Sequence, residues 1–413
     1  MHKTIAQNTI YQAIAKGFTA GTGFLITILI ARSFGASGYG DYIKITTYIA
    51  FFYLAVDLGL NAIYLQLDKE SQKFKDFFYA RIIFAFLIFL IANLIVFILP
   101  YNPIQDTGFS PLVRLGIFIF SFSFFNQAII FSTAAVFQKK LAYSRYMWAI
   151  IFGSIINLIL VYLFSVLSSS LLLTIFAFVF SGFSTAFLSI SLAGKKLLPI
   201  SIDVEYTKKI LIKAWPISVM LIFNLVYFRA DTFLLALFKQ SKDVGIYGLS
   251  YKFFDFLIAL PLFMSNALYP LLLQSRKNFR KFNNLVKIYI LVFIVSGIIL
   301  VIPFWFISPL FVAIKKEYLG AVLPFRILLI SLPIFFATSF LQWIFISLEK
   351  QKFLMWVYLV AAFLNIILNL IFIPSYTYIA SAIITGVSET VVFVVLLVSL
   401  SNLKILSERE SQR

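Results

Sequence analysis

The sequence has no cysteine and a single histidine, His2. The missing thiols exclude a disulfide framework, a thiol nucleophile and a cysteine metal site. One histidine is too few for zinc chemistry or for histidine-based acid–base catalysis. Charged residues are also scarce, at 12% of the chain, and acidic residues are the rarer kind, with 16 against 34 basic ones. These absences predict a protein with no metal and no bound cofactor.

Long apolar runs make up most of the 413 residues, which are 62% hydrophobic. A helix needs roughly 20 apolar residues to cross a bilayer core about 30 Å thick. The runs have this length, and none alternates apolar and polar residues as a membrane β-strand does. We therefore predict an all-α polytopic membrane protein with about twelve transmembrane helices. The predicted spans are 9–31, 39–62, 77–99, 112–136, 145–166, 171–193, 214–237, 247–273, 284–307, 321–346, 354–373 and 378–401.

The basic residues predict the orientation of these spans. Residues in the first or last four positions of a span are counted here with the adjoining segment. On that count, 22 of the 34 Lys and Arg residues fall on the side of both termini, 6 on the opposite side and 6 within spans. Loops on the cytoplasmic side of a membrane carry such an excess, so both termini are expected to be cytoplasmic. The basic residues are spread over separate short loops that face anionic lipid. Membrane lipids are thus the expected partners of this charge, and nucleic acid is not.

The spans divide into two sets of six. The longest interior gap, 194–213, is polar and basic, and it predicts a cytoplasmic linker. The expected domains are an N-terminal six-helix lobe (1–193), a C-terminal six-helix lobe (214–401) and a cytoplasmic tail (402–413). A weak repeat at the outer turn that opens each half supports the division, and two such repeats are a common plan among transporters. The matched residues, 205 positions apart, are Leu29 and Leu234, Ala31 and Ala236, Gly40 and Gly245, and Tyr42 and Tyr247.

Short motifs at these turns resemble a known family. In the first half the pattern A-R-x-x-G-x-x-x-Y-G-x-Y covers 31–42 and D-x-G-L covers 57–60; the second half has D-x-F-L-L at 231–235 and V-G-x-Y at 244–247. These motifs, with Pro261 and Pro270 in the eighth span, resemble Wzx-type O-antigen flippases of the multidrug/oligosaccharidyl-lipid/polysaccharide (MOP) exporter superfamily. One departure is Leu237, which stands where a repeat of Arg32 would place an arginine.

The resemblance implies a function. It is the translocation of oligosaccharide repeat units, linked to undecaprenyl diphosphate, across the bacterial inner membrane for O-antigen or capsule assembly. It also implies alternating access of a central cavity between the lobes, with a polysaccharide polymerase as an expected partner. A diphosphate cargo is anionic, and arginine and lysine side chains bind phosphate groups. Cationic residues inside the spans are therefore the first candidates for a cargo site.

Four charged residues lie at similar depth in the seventh and eighth spans. Arg229 is too deep to reach the membrane surface easily, because a charge near the bilayer centre costs roughly 3 kcal/mol on insertion scales. Pairing of Arg229 with Asp255 and of Asp231 with Lys252 is geometrically reasonable, either as a fixed clamp between helices or as part of a polar lumen. Asn224, one and a half turns before Arg229, joins them as a cargo candidate.

Two further residues complete the candidate set. Glu389, near the middle of the last span, has no cation close in sequence, so we expect it to carry a coupling ion, H⁺ or Na⁺, with Asp255 and Asp231 as further candidates. A structural hydrogen bond to Thr385 is the alternative. Lys16 lies in a helix with small polar residues, which fits either close helix packing or a cavity wall. We expect three other charges within spans, Lys44, Asp41 and Arg81, to reach the membrane surface.

Two other functions remain open on the sequence alone. A multidrug/cation antiporter of the same superfamily would need acidic residues to dominate its cavity, whereas deep cations here at least match the anions. A membrane polysaccharide polymerase or glycosyltransferase would need a sizeable catalytic loop. The longest outer loops, 101–111 and 308–320, have about a dozen residues and no evident acid–base pair. The prediction is a transporter and not an enzyme.

Overall fold

The fold is almost entirely helical. A computed structural model describes residues 2–57, 59–67, 74–194, 203–275 and 278–411. The chain divides into two compact units. The first unit is Met1–Ile222 with Gln240–Gly245, and the second unit is Phe223–Lys239 with Ile246–Arg413. The predicted lobes, 1–193 and 214–401, stay a prediction beside this division.

The first unit contains most of the shorter helices. A small antiparallel hairpin, β1 (Tyr101–Asn102) and β2 (Thr107–Gly108), follows the third helix, and Tyr101 pairs with Gly108. Helix α6 continues into one π-helical turn, Leu163–Leu167. The helices are α1 (His2–Asp57), α2 (Leu60–Leu67), α3 (Phe74–Ile98), α4 (Pro111–Ser121), α5 (Ser123–Lys139), α6 (Tyr143–Tyr162) and α7 (Leu171–Ala193).

The second unit contains the helices of the C-terminal part of the chain. Two helices belong to both units, α8 (Val204–Phe238) and α9 (Ser241–Ser275). The remaining helices are α10 (Phe279–Ile307), α11 (Phe311–Ile314), α12 (Val322–Ser347) and α13 (Gln351–Ser411), with 3₁₀ turns at Ser308–Leu310 and Lys316–Ala321.

The described residues confirm an all-α polytopic membrane protein. Nine helical segments in them are long and apolar enough to cross a bilayer. They correspond to eleven of the twelve predicted spans, because α1 and α13 each contain two. Each of these helices is broken once at a non-helical residue, Gly35 (φ 67°) in α1 and Thr377 (φ 53°) in α13. The one remaining predicted span, 214–237, lies within α8.

The sequence repeat at the outer turns has a structural role. In the first unit, Gly40 of α1 packs against the backbone of Ser241, and Gly245 packs against the backbone of Ala36. A methyl group at either glycine would overlap a backbone carbonyl oxygen, so only glycine permits this close crossing. Asp41 accepts a hydrogen bond from the Ser241 hydroxyl across the same crossing, at 2.5 Å. The two repeated glycines therefore hold the start of α9 against α1.

Two charges expected at the membrane surface are instead buried in the first unit. The Lys44 ammonium donates a 2.7 Å hydrogen bond to the carbonyl oxygen of Gly108 in the β hairpin. Arg81 is completely buried, 3.8 Å from Asp57, and donates to Asn61 at 2.9 Å. The prediction of surface-reaching side chains is wrong at both positions. Polar partners from distant parts of the chain compensate their burial, which span position alone does not indicate.

Candidate functional site

An ion pair between α8 and α9 forms one side of the candidate site in the second unit. Arg229 Nη2 lies 2.8 Å from Asp255 Oδ2, and the guanidinium carbon is 5.2 Å from the centre of the Tyr251 ring. The expected contact between Arg229 and Asp255 is therefore present. Both side chains remain partly exposed, at 33% for Arg229 and 23% for Asp255. A second molecule can thus reach this pair.

The helical repeat of α9 explains why the other expected pair is absent. Tyr247, Tyr251 and Asp255 are spaced by four residues, so they share the face of α9 that contacts α8. Lys252 lies about 100° further round the helix than Tyr251, given 3.6 residues per turn. It is exposed and does not contact Asp231. The predicted pairing of Asp231 with Lys252 is therefore wrong.

Asp231 is held by hydroxyl groups instead of a cation. Its carboxylate accepts hydrogen bonds from the Tyr247 hydroxyl at 2.5 Å, from the Thr385 hydroxyl at 3.2 Å and from the backbone N–H of Thr232 at 2.6 Å. Its side chain is buried. Neutral donors satisfy a buried carboxylate without adding charge, so this cluster ties α8, α9 and α13 together around one acidic group.

Glu389 has a similar environment one turn further along α13. Its Oε2 accepts a 2.6 Å hydrogen bond from the Tyr227 hydroxyl, and the Tyr227 ring packs edge-on against Tyr358. Glu389 is buried, and no Lys or Arg among the described residues pairs with it. Thr385, the hydrogen-bond partner named as the alternative, bonds to Asp231 instead. The partner of Glu389 thus comes from another helix, as expected for an ion-coupling candidate, but it is neutral.

Two candidate residues lie apart from these clusters. Lys16 is exposed on α1 in the first unit. The side chain of Asn224 lies outside the described part of the structure. The structure therefore brings together Arg229, Asp255, Asp231 and Glu389 in the second unit by way of tyrosines 227, 247 and 251. Of these tyrosines the sequence pattern marks only Tyr247, as part of the repeat and not as a site residue.

The first unit contains a polar cavity that the sequence analysis missed. Its volume is about 370 Å³, and no charged side chain is among its lining residues. Asn126, Gln127 and Asn157, polar residues on two successive predicted spans, were the available signal. The polar residues in its wall are Thr19, Tyr53, Ser123, Asn126, Gln127, Tyr146, Ser154, Asn157, Ser181 and Thr185.

Two amide oxygens in this cavity have no hydrogen-bond partner. They are Oδ1 of Asn126, whose residue is 1% exposed, and Oδ1 of Asn157. Glycines make room for the polar groups, because a methyl group at Gly182 would overlap the Asn126 amide and one at Gly153 would overlap the Thr185 hydroxyl. Buried amides in native proteins are normally paired, so an unpaired one next to open space is available to a ligand.

Metal binding has no support in these sites. No group of three His, Asp or Glu residues comes together in the part of the chain that the structure describes. The chemistry on offer is therefore hydrogen bonding in the first unit and charge pairing in the second. Neither arrangement supplies a nucleophile activated by a neighbouring base.

The apolar spans and the charges that they carry define a multi-pass membrane protein. A model of the family described as "Polysaccharide biosynthesis protein" matches residues 5–276, about two thirds of the chain, so the chain belongs to that family. The MatE model matches residues 216–371. No curated protein matches the chain.

Solved structures share the fold over nearly the whole chain. Lipid II flippase MurJ, in an inward closed conformation, superposes with a TM-score of 0.74 at 16% identity, covering 95% of this chain and 87% of that one. A MATE family multidrug resistance transporter of the MOP superfamily, inward-facing, gives 0.69 at 15% identity, with coverages of 96% and 95%. A MOP superfamily transporter from Pyrococcus furiosus gives 0.62 at 13%, with coverages of 97% and 96%. At these identities the likeness shows the fold alone.

Proposed function

We propose that this protein is a flippase that carries undecaprenyl-diphosphate-linked oligosaccharide across the bacterial inner membrane. The observation that carries the proposal is the partly exposed Arg229–Asp255 pair on membrane-spanning helices. An exposed charge at membrane depth needs water or a polar cargo beside it, because hydrocarbon cannot solvate it. A guanidinium group binds phosphate oxygens through two parallel hydrogen bonds. The diphosphate of the cargo is then a competitor for Asp255.

Exchange of partners gives a simple cargo cycle. When the diphosphate binds, Arg229 changes its partner from the Asp255 carboxylate to a phosphate oxygen, and Asp255 recovers the guanidinium when the cargo leaves. Neither state leaves the cation unpaired, which keeps the cost of each change low. Lys16, Asn224 and Lys252 are the other residues that we assign to the head group. The lipid tail stays in the bilayer while the cargo site opens alternately to the two sides of the membrane.

The membrane and the pathway belong to the same proposal. The excess of basic residues in one set of loops supports cytoplasmic termini in the inner membrane. Membership of the polysaccharide biosynthesis family supports O-antigen or capsule assembly as the process served. A polymerase that consumes the translocated repeat units is the partner that this process needs.

Replacing Arg229 by alanine tests the proposal. In a bacterial strain that lacks its own flippase and depends on this chain, Arg229→Ala should abolish surface polysaccharide and leave lipid-linked repeat units on the cytoplasmic leaflet. The matched control is Arg326→Ala on α12, since Arg326 bonds to Ser308 and the Trp305 carbonyl and pairs with no carboxylate in the described part of the chain. With both variants at wild-type levels in the membrane, normal translocation by Arg229→Ala would remove Arg229 from the cargo site.

A multidrug/cation antiporter is the second candidate. The observation in its favour is that Asp231 and Glu389 are buried carboxylates that accept hydrogen bonds from neutral hydroxyls. The MatE model matches residues 216–371, which include Asp231 but not Glu389. A cationic cargo would bind such acids. Ethidium efflux from cells that express the chain distinguishes the two, since the flippase gives none.

Ion coupling is assigned to Glu389, with Asp231 and Asp255 as further carriers of H⁺ or Na⁺. Glu389→Gln keeps an oxygen that can accept the Tyr227 hydrogen bond, so the fold should persist. If the carboxylate carries the coupling ion, this variant translocates cargo at a rate that no longer responds to collapse of the proton or sodium gradient. A response equal to that of the wild type would take the role from Glu389.

A further inference from the structure

The neutral cavity in the first unit offers a different chemistry from the charged pair in the second. Its wall combines amides and hydroxyls with aromatic rings and has no charged group. A diphosphate gains nothing from such a wall, because its charge would be buried without a counter-ion. Apolar chains are equally unsuited to it, since they would leave the amides unpaired. The ligand that matches is neutral and carries many hydroxyl groups.

The unpaired amide oxygens indicate that the cavity is incomplete without a ligand. Oδ1 of Asn126 and Oδ1 of Asn157 can each accept one hydrogen bond or more, and both belong to residues that line the cavity. The Asn126 amide nitrogen has only a long contact, 3.4 Å, to the carbonyl oxygen of Val179. By contrast, the Tyr53 hydroxyl already donates to Ser123 at 2.5 Å. The two asparagine oxygens are therefore buried acceptors that still lack a partner in the wall of the cavity.

Size and access also fit a sugar. The volume of about 370 Å³ is at the lower end of the range for small-molecule pockets, about 300–1,000 Å³. It leaves room for a single sugar ring. Thr19 in the wall is exposed, so the cavity is not sealed. Rings of Phe120, Phe131 and Phe178 lie among the polar groups and offer apolar surface to the C–H face of a sugar.

We infer that this cavity is a subsite for one uncharged sugar ring of the cargo, with Asn126 and Asn157 as its principal hydrogen-bonding residues. The inference rests on the proposed function and assigns a part of the cargo to the first unit. Arg229 in the second unit recognises the diphosphate, and the cavity recognises hydroxyl groups. A site built to pair with hydroxyls discriminates strongly against a ligand that lacks them.

Binding of four defined lipids to the full-length protein in lipid nanodiscs tests this division. The probes are undecaprenyl diphosphate alone and the same lipid carrying one glucose, one galactose or one N-acetylglucosamine. We expect the wild type to bind at least one sugar-bearing lipid more tightly than the bare lipid. Asn126→Leu and Asn157→Leu should each reduce that preference about three- to tenfold, as expected for one lost hydrogen bond, without changing the affinity for the bare lipid.

Two further variants make the result specific. Asn93→Leu is the matched control, because Asn93 on α3 of the first unit also has an unpaired Oδ1 but does not line the cavity. It should keep the full sugar preference. Arg229→Ala should weaken binding of all four lipids and leave the preference for sugar intact.

The outcomes separate this inference from the proposed function. If the wild type binds the bare lipid as tightly as every sugar-bearing one, or if both asparagine variants keep the preference, the subsite is overturned while diphosphate recognition stands. If the wild type binds none of the four lipids, both the subsite and the flippase proposal are overturned. Asn157 is only half-buried, so Asn157→Leu provides a reading even where Asn126→Leu fails to fold.

Discussion

Among the described residues, each unit contains one arginine–aspartate pair on its membrane-spanning helices, and the two pairs differ in exposure. Arg81 in the first unit is completely buried, lies 3.8 Å from Asp57 and packs against Phe77 with its guanidinium carbon 4.6 Å from the ring centre. Arg229 in the second unit is 33% exposed and lies 2.8 Å from Asp255.

The pair of Arg81 and Asp57 has the longer separation, yet it is the pair whose partners cannot be exchanged. Arg81 also donates hydrogen bonds to Asn61, to Ser132 and to the Asp57 carbonyl, so no incoming ligand can displace its partners. Arg229 has one carboxylate and one ring, and both leave part of it open. The comparison teaches that access, not distance, separates a structural clamp from a group that can change partners.

Loss of the buried clamp should have the largest effect on stability. Arg81→Met is expected to lower the free energy of unfolding by about 3 kcal/mol, the low end for a broken buried pair, because the Asp57 side chain is 32% exposed and keeps some solvation. Arg145→Met is the control, since Arg145 is exposed and makes one long hydrogen bond. Unfolding in mixed detergent measures both. A loss below about 1 kcal/mol for Arg81→Met would contradict its role as a clamp.

A methyl group at the helix crossing of the first unit should have the second-largest effect on stability. Gly245→Ala forces apart α1 and the start of α9 and should cost about 1–3 kcal/mol, the range for overpacking. Gly21→Ala is the matched change, because the space beside Gly21 is open. It should leave stability unchanged or raise it by up to about 1 kcal/mol through helix propensity. Equal effects of the two substitutions, measured by the same unfolding assay, would show that the crossing does not depend on glycine.

Removing the competitor of the cargo should sharpen the comparison between the two pairs. Asp255→Asn leaves Arg229 without a charged partner, and we expect undecaprenyl diphosphate to bind about tenfold more tightly and to be released more slowly. Asp57→Asn makes the same change at the clamp and should not alter lipid binding. Lipid affinity in nanodiscs is the measurement. Unchanged affinity in Asp255→Asn would mean that the cargo does not exchange with the carboxylate.

The smallest effect is expected at Lys252. Its side chain is exposed and forms no ion pair with Asp231, so Lys252→Ala should change the free energy of unfolding by less than about 0.5 kcal/mol. A loss of 2 kcal/mol or more in the unfolding assay would mean that Lys252 is part of the structural network after all. That result would reduce the contrast between Lys252 and the charged residues that face α8.

Much of the candidate site in the second unit could be predicted from the chain. Arg229 and Asp255 stand out because charges are rare in apolar spans, and a short connection between two helices places residues of similar depth side by side. Asp231 and Lys252 satisfied the same argument and yet do not pair. Depth is readable from sequence position, but the direction of a side chain depends on how the helix is rotated against its neighbours.

The cavity of the first unit shows where sequence reasoning stops. Asn126 and Asn157 are 31 residues apart on separate helices, and each could equally bond to a neighbouring backbone. Only packing decides that Gly153 and Gly182 open space beside them and that their oxygens remain unpaired. The burial of Arg81 and Lys44 has the same origin, since their partners come from elsewhere in the fold.

The sequence by itself determined the all-α membrane class, the positions of the spans and the family, because the thickness of a bilayer imposes a length and a polarity on every crossing helix. Tertiary structure alone decided which polar groups meet, which are sealed and which stay open to a ligand. The reason is that a polar side chain inside a membrane needs a partner on another helix or in a cavity. The rotation of each helix and its distance from its neighbours decide which partner is available, and the sequence pattern does not contain this information.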